Sequence, residues 1–328
     1  MYHVPDYQQN LSLRLSEVLD DIGVSEEMAL KTRRSVLLEE SMWTIAHMFI
    51  SNHSMNIFGS YCEVTTTTGL NSDNDILFLQ HDYNLIQDYA DWKHGFTNLL
   101  MIQDNTTSAG YCLLQKIRDD VPLPATRVLD EDHVRDASGR VLLKNTLYRD
   151  RTPAGAVQHG PSWATQGAPG FKDSDFVPAF HCNSWPYEAR PWLDRQGIGR
   201  WPTAGMKRFA ANNGCFVVPV GSKVSQNPEL EWRISTSQAE RCLMFSLNIT
   251  QICCYVLMKI ILKTFIMLVK GALQVLCVKQ FCYIVLKTHI QMHGRKIIYL
   301  HVCHVVYMYY TSVYNMRTAH ILLYQKTT

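Results

Sequence analysis

The chain has 328 residues, with 31 Lys and Arg, 29 Asp and Glu, and a formal net charge of +2. Apolar residues make up 47% and charged residues 18%, a globular composition that excludes a disordered polyelectrolyte and is large enough for a sizeable core. The small net charge hides an asymmetry: up to Glu240 there are 21 basic and 29 acidic residues (−8), whereas residues 241–328 carry ten Lys and Arg and no Asp or Glu (+10). An average composition would place about ten acids in a segment of that length. Either a basic surface is built there, or the segment is not an ordinary evolved domain.

The N-terminal third reads as helix. Leu11, Leu15, Leu19 and Ile22 recur at helical spacing and Gly23 stops the run. Ser25 is placed to cap a second, longer helix, with Glu26 and Glu27 in its first turn and an end near Ile50. An α/β block follows. "NDILFL" has strand length, Arg151–Asp175 is a loop rich in Gly, Pro and Ser, and "FVPAFHC" is a second strand. "NSWPYEARPWLDR" is turn-like, and "GCFVVPVGS" is an apolar run ending in a turn. From about Ser235 the chain reads as helix again.

Within that helix, Ile252–Val269 is apolar enough to raise a membrane span. Lys259 and Lys263 oppose it, because each costs about 2.5–3.5 kcal/mol at the bilayer centre. Lys259, Lys263 and Lys270 share one helical stripe, so the expectation is a buried helix with a basic edge and no stable membrane insertion. The sequence opens without a basic region followed by an apolar core. The expected location is therefore intracellular, cytoplasmic or nuclear, and the ten cysteines read as free thiols before disulfides.

The chemistry is concentrated in "FGSYCEVTTTTGLNSDNDILFLQ", residues 58–80. Asp73 and Asp75 flank Asn74, and on a strand residues i and i+2 share a face. Two carboxylates held that close repel each other unless a cation lies between them. Mg²⁺ (or Mn²⁺) suits such a pair, since it takes one or two carboxylates and keeps its remaining positions for water and phosphate oxygens. Gly59 and Ser60, just upstream, suit a phosphate cradle in which glycine admits close backbone approach before a helix start. Taken alone, a D-x-D is more often a solvated loop, and a Gly-Ser pair is weaker still.

Four stretches in order change that balance. G-S-x-x-E-x-T-T-T-x-G-L-x-S-D-x-D-x-L from Gly59, "HGPSW" at His159–Trp163, "DFVPAFHCNSWPYEARPWLDR" at Asp175–Arg195 and "GCFVVPVGSKVSQNPELEWRISTSQAE" at Gly214–Glu240 together resemble cyclic GMP-AMP synthase-like and male-abnormal-21-like (Mab-21-like) proteins, particularly the invertebrate sets, over about residues 10–265. The resemblance implies an α+β fold: a polymerase-β-like nucleotidyltransferase core, with a mixed twisted sheet and helices, joined to a helical C-terminal lobe of helix-hairpin-helix type. It implies Mg²⁺-assisted joining of nucleoside triphosphates, ATP and GTP foremost, into a cyclic or linear dinucleotide in innate immune signalling, with double-stranded RNA or another nucleic acid as activator. By the same resemblance Asp73, Asp75 and Asp175 match the metal carboxylates, with Asp173 a competitor for the third place. Gly59 and Ser60 match the phosphate-contacting pair, Arg233 an arginine of the nucleotide pocket, and Lys259 a lysine that reaches nucleotide phosphates.

The implied organisation is an N-terminal helical spine (1–50), a nucleotidyltransferase core (51–195), the rest of the core with the start of the helical lobe (196–265), and a divergent tail (266–328). The family pattern dissolves past about Ile266. The tail is rich in Tyr, His, Val and Ile and free of acids, and reads as translated non-coding sequence that leaves the lobe incomplete. Cys253-Cys254 and His181-Cys182 lack partners at metal-ligand spacing, so core thiols and no structural zinc are expected. The alternative to an enzyme is a non-catalytic nucleotide-binding or interaction module on the same fold.

Overall fold

The computed structural model describes residues 4–65, 74–128, 130–149, 156–159, 162–165, 173–196 and 201–266. Helices α1 (Val4–Asp21) and α2 (Glu26–Ser51) lead into β1 (His53–Phe58), the short α3 (Gly59–Cys62), β2 (Asn74–Gln80), β3 (Tyr83–Ile86), β4 (Thr97–Ile102) and β5 (Tyr111–Lys116). Next come β6 (His133–Arg135), β7 (Val141–Leu143), β8 (Val157–His159), β9 (Ser162–Thr165), β10 (Ser174–Cys182), α4 (Arg190–Asp194) and α5 (Ala204–Asn213). The last elements are β11 (Cys215–Val218), β12 (Glu231–Ser235), α6 (Ser237–Phe245) and α7 (Ile249–Ile266). The tail beyond Ile266, including Lys270, lies outside the described residues.

Local signals set the first helix boundaries. The Ser25 hydroxyl accepts a hydrogen bond from Met28 N at 3.2 Å, and Glu26 and Glu27 occupy the positive end of α2. The two long helices end at Ser51, however, and five strands follow before residue 117. This corrects the reading of a helical N-terminal third. Strands β3 to β5 are short and largely buried on both faces, so they show neither alternation nor a helical period.

The nine-residue strand β10 joins two halves of one mixed sheet. Its first half pairs in parallel with β2 and antiparallel with β9. Its second half pairs antiparallel with β11, and Cys182 pairs with Leu85 of β3. The order β10-β11-β12-β5-β4-β3 therefore closes back on β10 as a ring. Phe180, Cys182, Cys215, Val217, Trp232, Leu99 and Leu114 pack together in one buried cluster of that ring.

Helix α2 covers one face of β1 and β2, where Val36 packs on Met55, Ile57 and Ile76. The other face carries Phe58, Leu77, Leu79, Ala179, Phe216 and Val218. Helix α7 is buried from Ile252 to Met258 against Leu19, Val24, Ala29 and Val64. Burial around its whole circumference explains why this helix shows no amphipathic period. Among the described residues no single helix is long and apolar enough to cross a membrane.

The continuous helix expected from Ser235 is two helices, bent by 120°. Asn248 causes the break: its side chain accepts from Gln251 N at 3.0 Å while its own N donates to Gln251 Oε1 at 3.0 Å. This reciprocal cap starts a new helix.

A half-buried ion pair ties α2 to the sheet and to α6. Arg241 Nη1 donates to Glu40 Oε2 at 2.5 Å and to the Ile57 carbonyl at 3.0 Å, and Glu40 Oε2 also accepts from Ile57 N at 2.8 Å. Glu40→Ala leaves a guanidinium that is only 9% exposed without its counter-charge. The expected loss is about 3–5 kcal/mol, read as a lower denaturant midpoint, and Glu40→Gln, which keeps an acceptor, loses less.

Candidate functional site

Asp75 and Asp175 face each other across the parallel seam between β2 and β10, in direct register. Neighbouring strands lie about 4.8 Å apart and in-register parallel residues point to the same face, so both carboxylates project on the side of Leu77 and Ala179, away from α2. Asp75 is exposed and Asp175 half-buried. The competitor Asp173 is exposed just ahead of β10, where its carbonyl accepts from Asn74 N at 3.1 Å. Its backbone lengthens the seam, and Asp175 holds the place beside Asp75. Asp73 lies outside the described residues.

Gly59 follows β1, whose Phe58 pairs with Asp75. Its φ is +86°, and a Cβ there would lie 2.2 Å from Asp75 Oδ2. Only glycine combines this backbone conformation with so close an approach to a carboxylate. Ser60 follows in a helix of only four residues, so the helix start expected after the Gly-Ser pair is a single turn. The Ser60 carbonyl accepts from Thr65 N at 2.8 Å and the Ser60 hydroxyl from Lys259 Nζ at 2.6 Å. Lys259 also donates to the Thr65 carbonyl at 3.1 Å. A lysine 199 residues away in sequence thus reaches the Gly-Ser turn, because α7 is packed by its apolar surface and Lys259 emerges at its edge. The side chain of Lys263 lies outside the described residues. Thr65, which is fully buried, takes part through its backbone carbonyl and has no side-chain signature that sequence reading could detect.

Arg233 stands apart. On β12 it pairs with Val218, which shares its cluster with Leu77 and Ala179, so Arg233 projects exposed on the same sheet face as the two aspartates. Two strands and about four residues of offset separate it from Asp175, roughly 15 Å. The structure therefore brings together Gly59, Ser60, Asp75, Asp175 and Lys259, and sets Arg233 at the far side of the same face.

The remaining motif residues are architectural. Glu231 is buried, and its carboxylate accepts from Ser108 N at 2.8 Å and Ser222 N at 3.2 Å. Trp232 is fully buried and donates to the Leu143 carbonyl at 3.0 Å. A Cβ on Gly221 would lie 1.8 Å from the Pro228 carbonyl oxygen, so backbone contact demands glycine there. The hairpin of β8 and β9 lays Ala164 beside Asp175. His181 Nε2 contacts the Asn213 carbonyl at 2.8 Å. Cys182 and Cys215 are buried and pair across strands. Hydrogen bonding from Cys215, with Ser184 and Gln87, draws the Cys182 thiol below its usual range, and its partner is pushed up. The seven cysteines of the described residues are free. No group of three His, Cys, Asp or Glu among the described residues is placed to hold a metal.

Two in-register carboxylates with all-oxygen donors repel when both are ionised, and a hard divalent cation such as Mg²⁺ relieves that repulsion. The oxygen donors of Asp75 and Asp175 are of the kind such an ion takes, and these two residues would hold it.

A mixed sheet with paired carboxylates at one strand seam, a Gly-Ser turn beside them and helix α2 on the opposite face is consistent with a polymerase-β-like nucleotidyltransferase fold. Residues 172–246 match the family model described as the Mab-21 protein nucleotidyltransferase domain, which supports assignment of the chain to the Mab-21 and cyclic GMP-AMP synthase-like family. The matched segment contains Asp175 and Arg233, whereas Gly59, Ser60, Asp75 and Lys259 lie outside it. No curated protein matches the chain.

Two outcomes follow from the geometry. Gly59→Ala, which places a Cβ 2.2 Å from Asp75 Oδ2 at a φ of +86°, destabilises the fold by more than ~1 kcal/mol, read as a lower denaturant midpoint. Under native conditions Cys112, Cys182 and Cys215 resist alkylation, and they label only when the chain is unfolded; mass spectrometry of the labelled peptides reads this.

Proposed function

We propose that the protein is a Mg²⁺-dependent nucleotidyltransferase that joins nucleoside triphosphates, with ATP and GTP the first candidates, into a dinucleotide of cyclic or linear form. The observation that carries this reading is the register of Asp75 with Asp175, beside a Gly59-Ser60 turn that Lys259 also reaches. Phosphoryl transfer needs little covalent chemistry from a protein. Its requirements are positioning and charge compensation, and these residues supply both.

In this reading Asp75 and Asp175, with Asp73, hold the divalent ion, which when bound supplies charge neutralisation at the phosphates. The backbone at Gly59 and the Ser60 hydroxyl orient the triphosphate. Lys259 exchanges its bond to Ser60 for contact with phosphate oxygens. Arg233, exposed at the far side of the same face, contacts the nucleotide away from the reacting phosphate. The family resemblance supports a role in innate immune signalling with double-stranded RNA as activator, and a helical lobe that begins with α6 and α7.

The purified chain, given the four ribonucleoside triphosphates with Mg²⁺ or Mn²⁺ and with or without double-stranded RNA or DNA, is expected to form a dinucleotide detectable by mass spectrometry. Asp73→Asn, Asp75→Asn and Asp175→Asn each abolish it with secondary structure intact. Lys259→Ala raises KM for triphosphate more than it lowers kcat. A folded chain that binds Mg-ATP and forms no product would identify a nucleotide-binding module instead.

A further inference from the structure

Helix α2 buries one face against the sheet, and among the described residues nothing packs on the opposite face. On that outward face Leu38, Met42, Ile45 and Phe49 are 62%, 62%, 60% and 88% exposed. Their spacing of four, three and four residues is that of a coiled-coil seam, repeated over nearly two heptads. The buried side chains Ala29 and Val36 lie on the other side of the helix, so this seam is additional to the intramolecular one. Contiguous apolar surface of this kind marks an interaction site.

We infer that α2 docks in parallel against α2 of a second copy of this chain, as a two-fold contact separate from the proposed nucleotide site. Three features select that occupant. The 4-3-4 spacing is self-complementary, since in a parallel pair each seam residue meets its own symmetry mate, as an isologous interface requires. Arg34 and Glu39 flank the stripe on opposite sides, and both are exposed. They are five residues apart, the spacing at which flanking positions of parallel coiled-coil helices face each other. Arg34 of each copy then meets Glu39 of the other, forming two ion pairs that fix the parallel orientation. The seam positions carry no charge, so they offer nothing to a nucleic acid backbone.

The test uses the full chain in sedimentation equilibrium, without nucleotide. A concentration-dependent dimer is expected. Ile45→Glu weakens it at least ~tenfold and, at a concentration where the wild-type chain is monomeric, leaves the melting temperature unchanged. Arg34→Glu and Glu39→Arg each weaken the dimer, and the double variant Arg34→Glu/Glu39→Arg restores it. Met42→Cys alone forms a disulfide-linked dimer on mild oxidation, whereas the wild-type chain does not. A wild-type monomer at all concentrations overturns the proposal, and so does a dimer indifferent to Ile45→Glu. A fall in the melting temperature of the monomer with Ile45→Glu also overturns it, by showing that the chain's own residues cover the stripe. Binding of a monomer to anionic phospholipid vesicles through the same stripe would assign this face to a membrane surface instead. None of these readouts depends on turnover, so failure here and failure of the enzymatic reading are distinguishable.

Discussion

The parallel register between β2 and β10 is the constraint on which the candidate site depends. Side chains alternate along a strand, so a slip of one residue would send Asp175 to the α2 face and leave Asp75 alone. The slip is resisted from both sides. Ile76 and Phe176 pack towards α2, whereas Leu77 and Ala179 pack on the opposite face, and reversing either set would expose core residues and bury aspartate. The apolar pattern of the sheet thereby sets the separation of two like charges. Any side chain at position 59 would overlap one of them, since a Cβ on Gly59 would lie 2.2 Å from Asp75 Oδ2, which couples the turn that follows β1 to the same register.

A second layer of constraint links the helices to this seam. Glu40 and Arg241 are 201 residues apart in sequence and join at the backbone of Ile57. Arg33 adds hydrogen bonds from α2 to the carbonyls of Met244 and Phe245 at the end of α6. The bend set by Asn248 then turns the chain so that α7 packs on α1 and the start of α2, and Lys259 arrives at Ser60. Buried polar contacts of this kind contribute modestly as pairs, but removing one partner is costly. Their consequence here is geometric: they fix where the helical segment meets the sheet, and so where its lysine can act.

The same architecture leaves an unsatisfied surface. A helix that serves only as a spine would be expected to present polar residues to solvent. Helix α2 presents a second apolar seam, flanked by charges of opposite sign. The sheet face that carries Asp75 and Asp175 lies across the core from that seam.

Much of this was legible in residue order. The Ser25 cap, the stop at Gly23, the strands containing "NDILFL" and "FVPAFHC", and the pairing of small and acidic residues around Gly59 and Asp75 are local signals, carried by neighbours within a few positions. The strands β3 to β5 were not legible, because burial on both faces erases alternation. The Asn248 break was present as an Asn-x-x-Gln cap and was masked by the apolar run around it. By itself the sequence determined which residues could carry the chemistry and which short segments could form helix or strand, since propensity, capping and side-chain period act over one or two turns. Tertiary structure placed Asp175, ahead of its competitor Asp173, beside Asp75, and it alone decided that Lys259 reaches Ser60 and that Arg233 lies apart on the same face. Register and packing bring together groups separated by a hundred residues or more, and no spacing rule along the chain encodes such contacts.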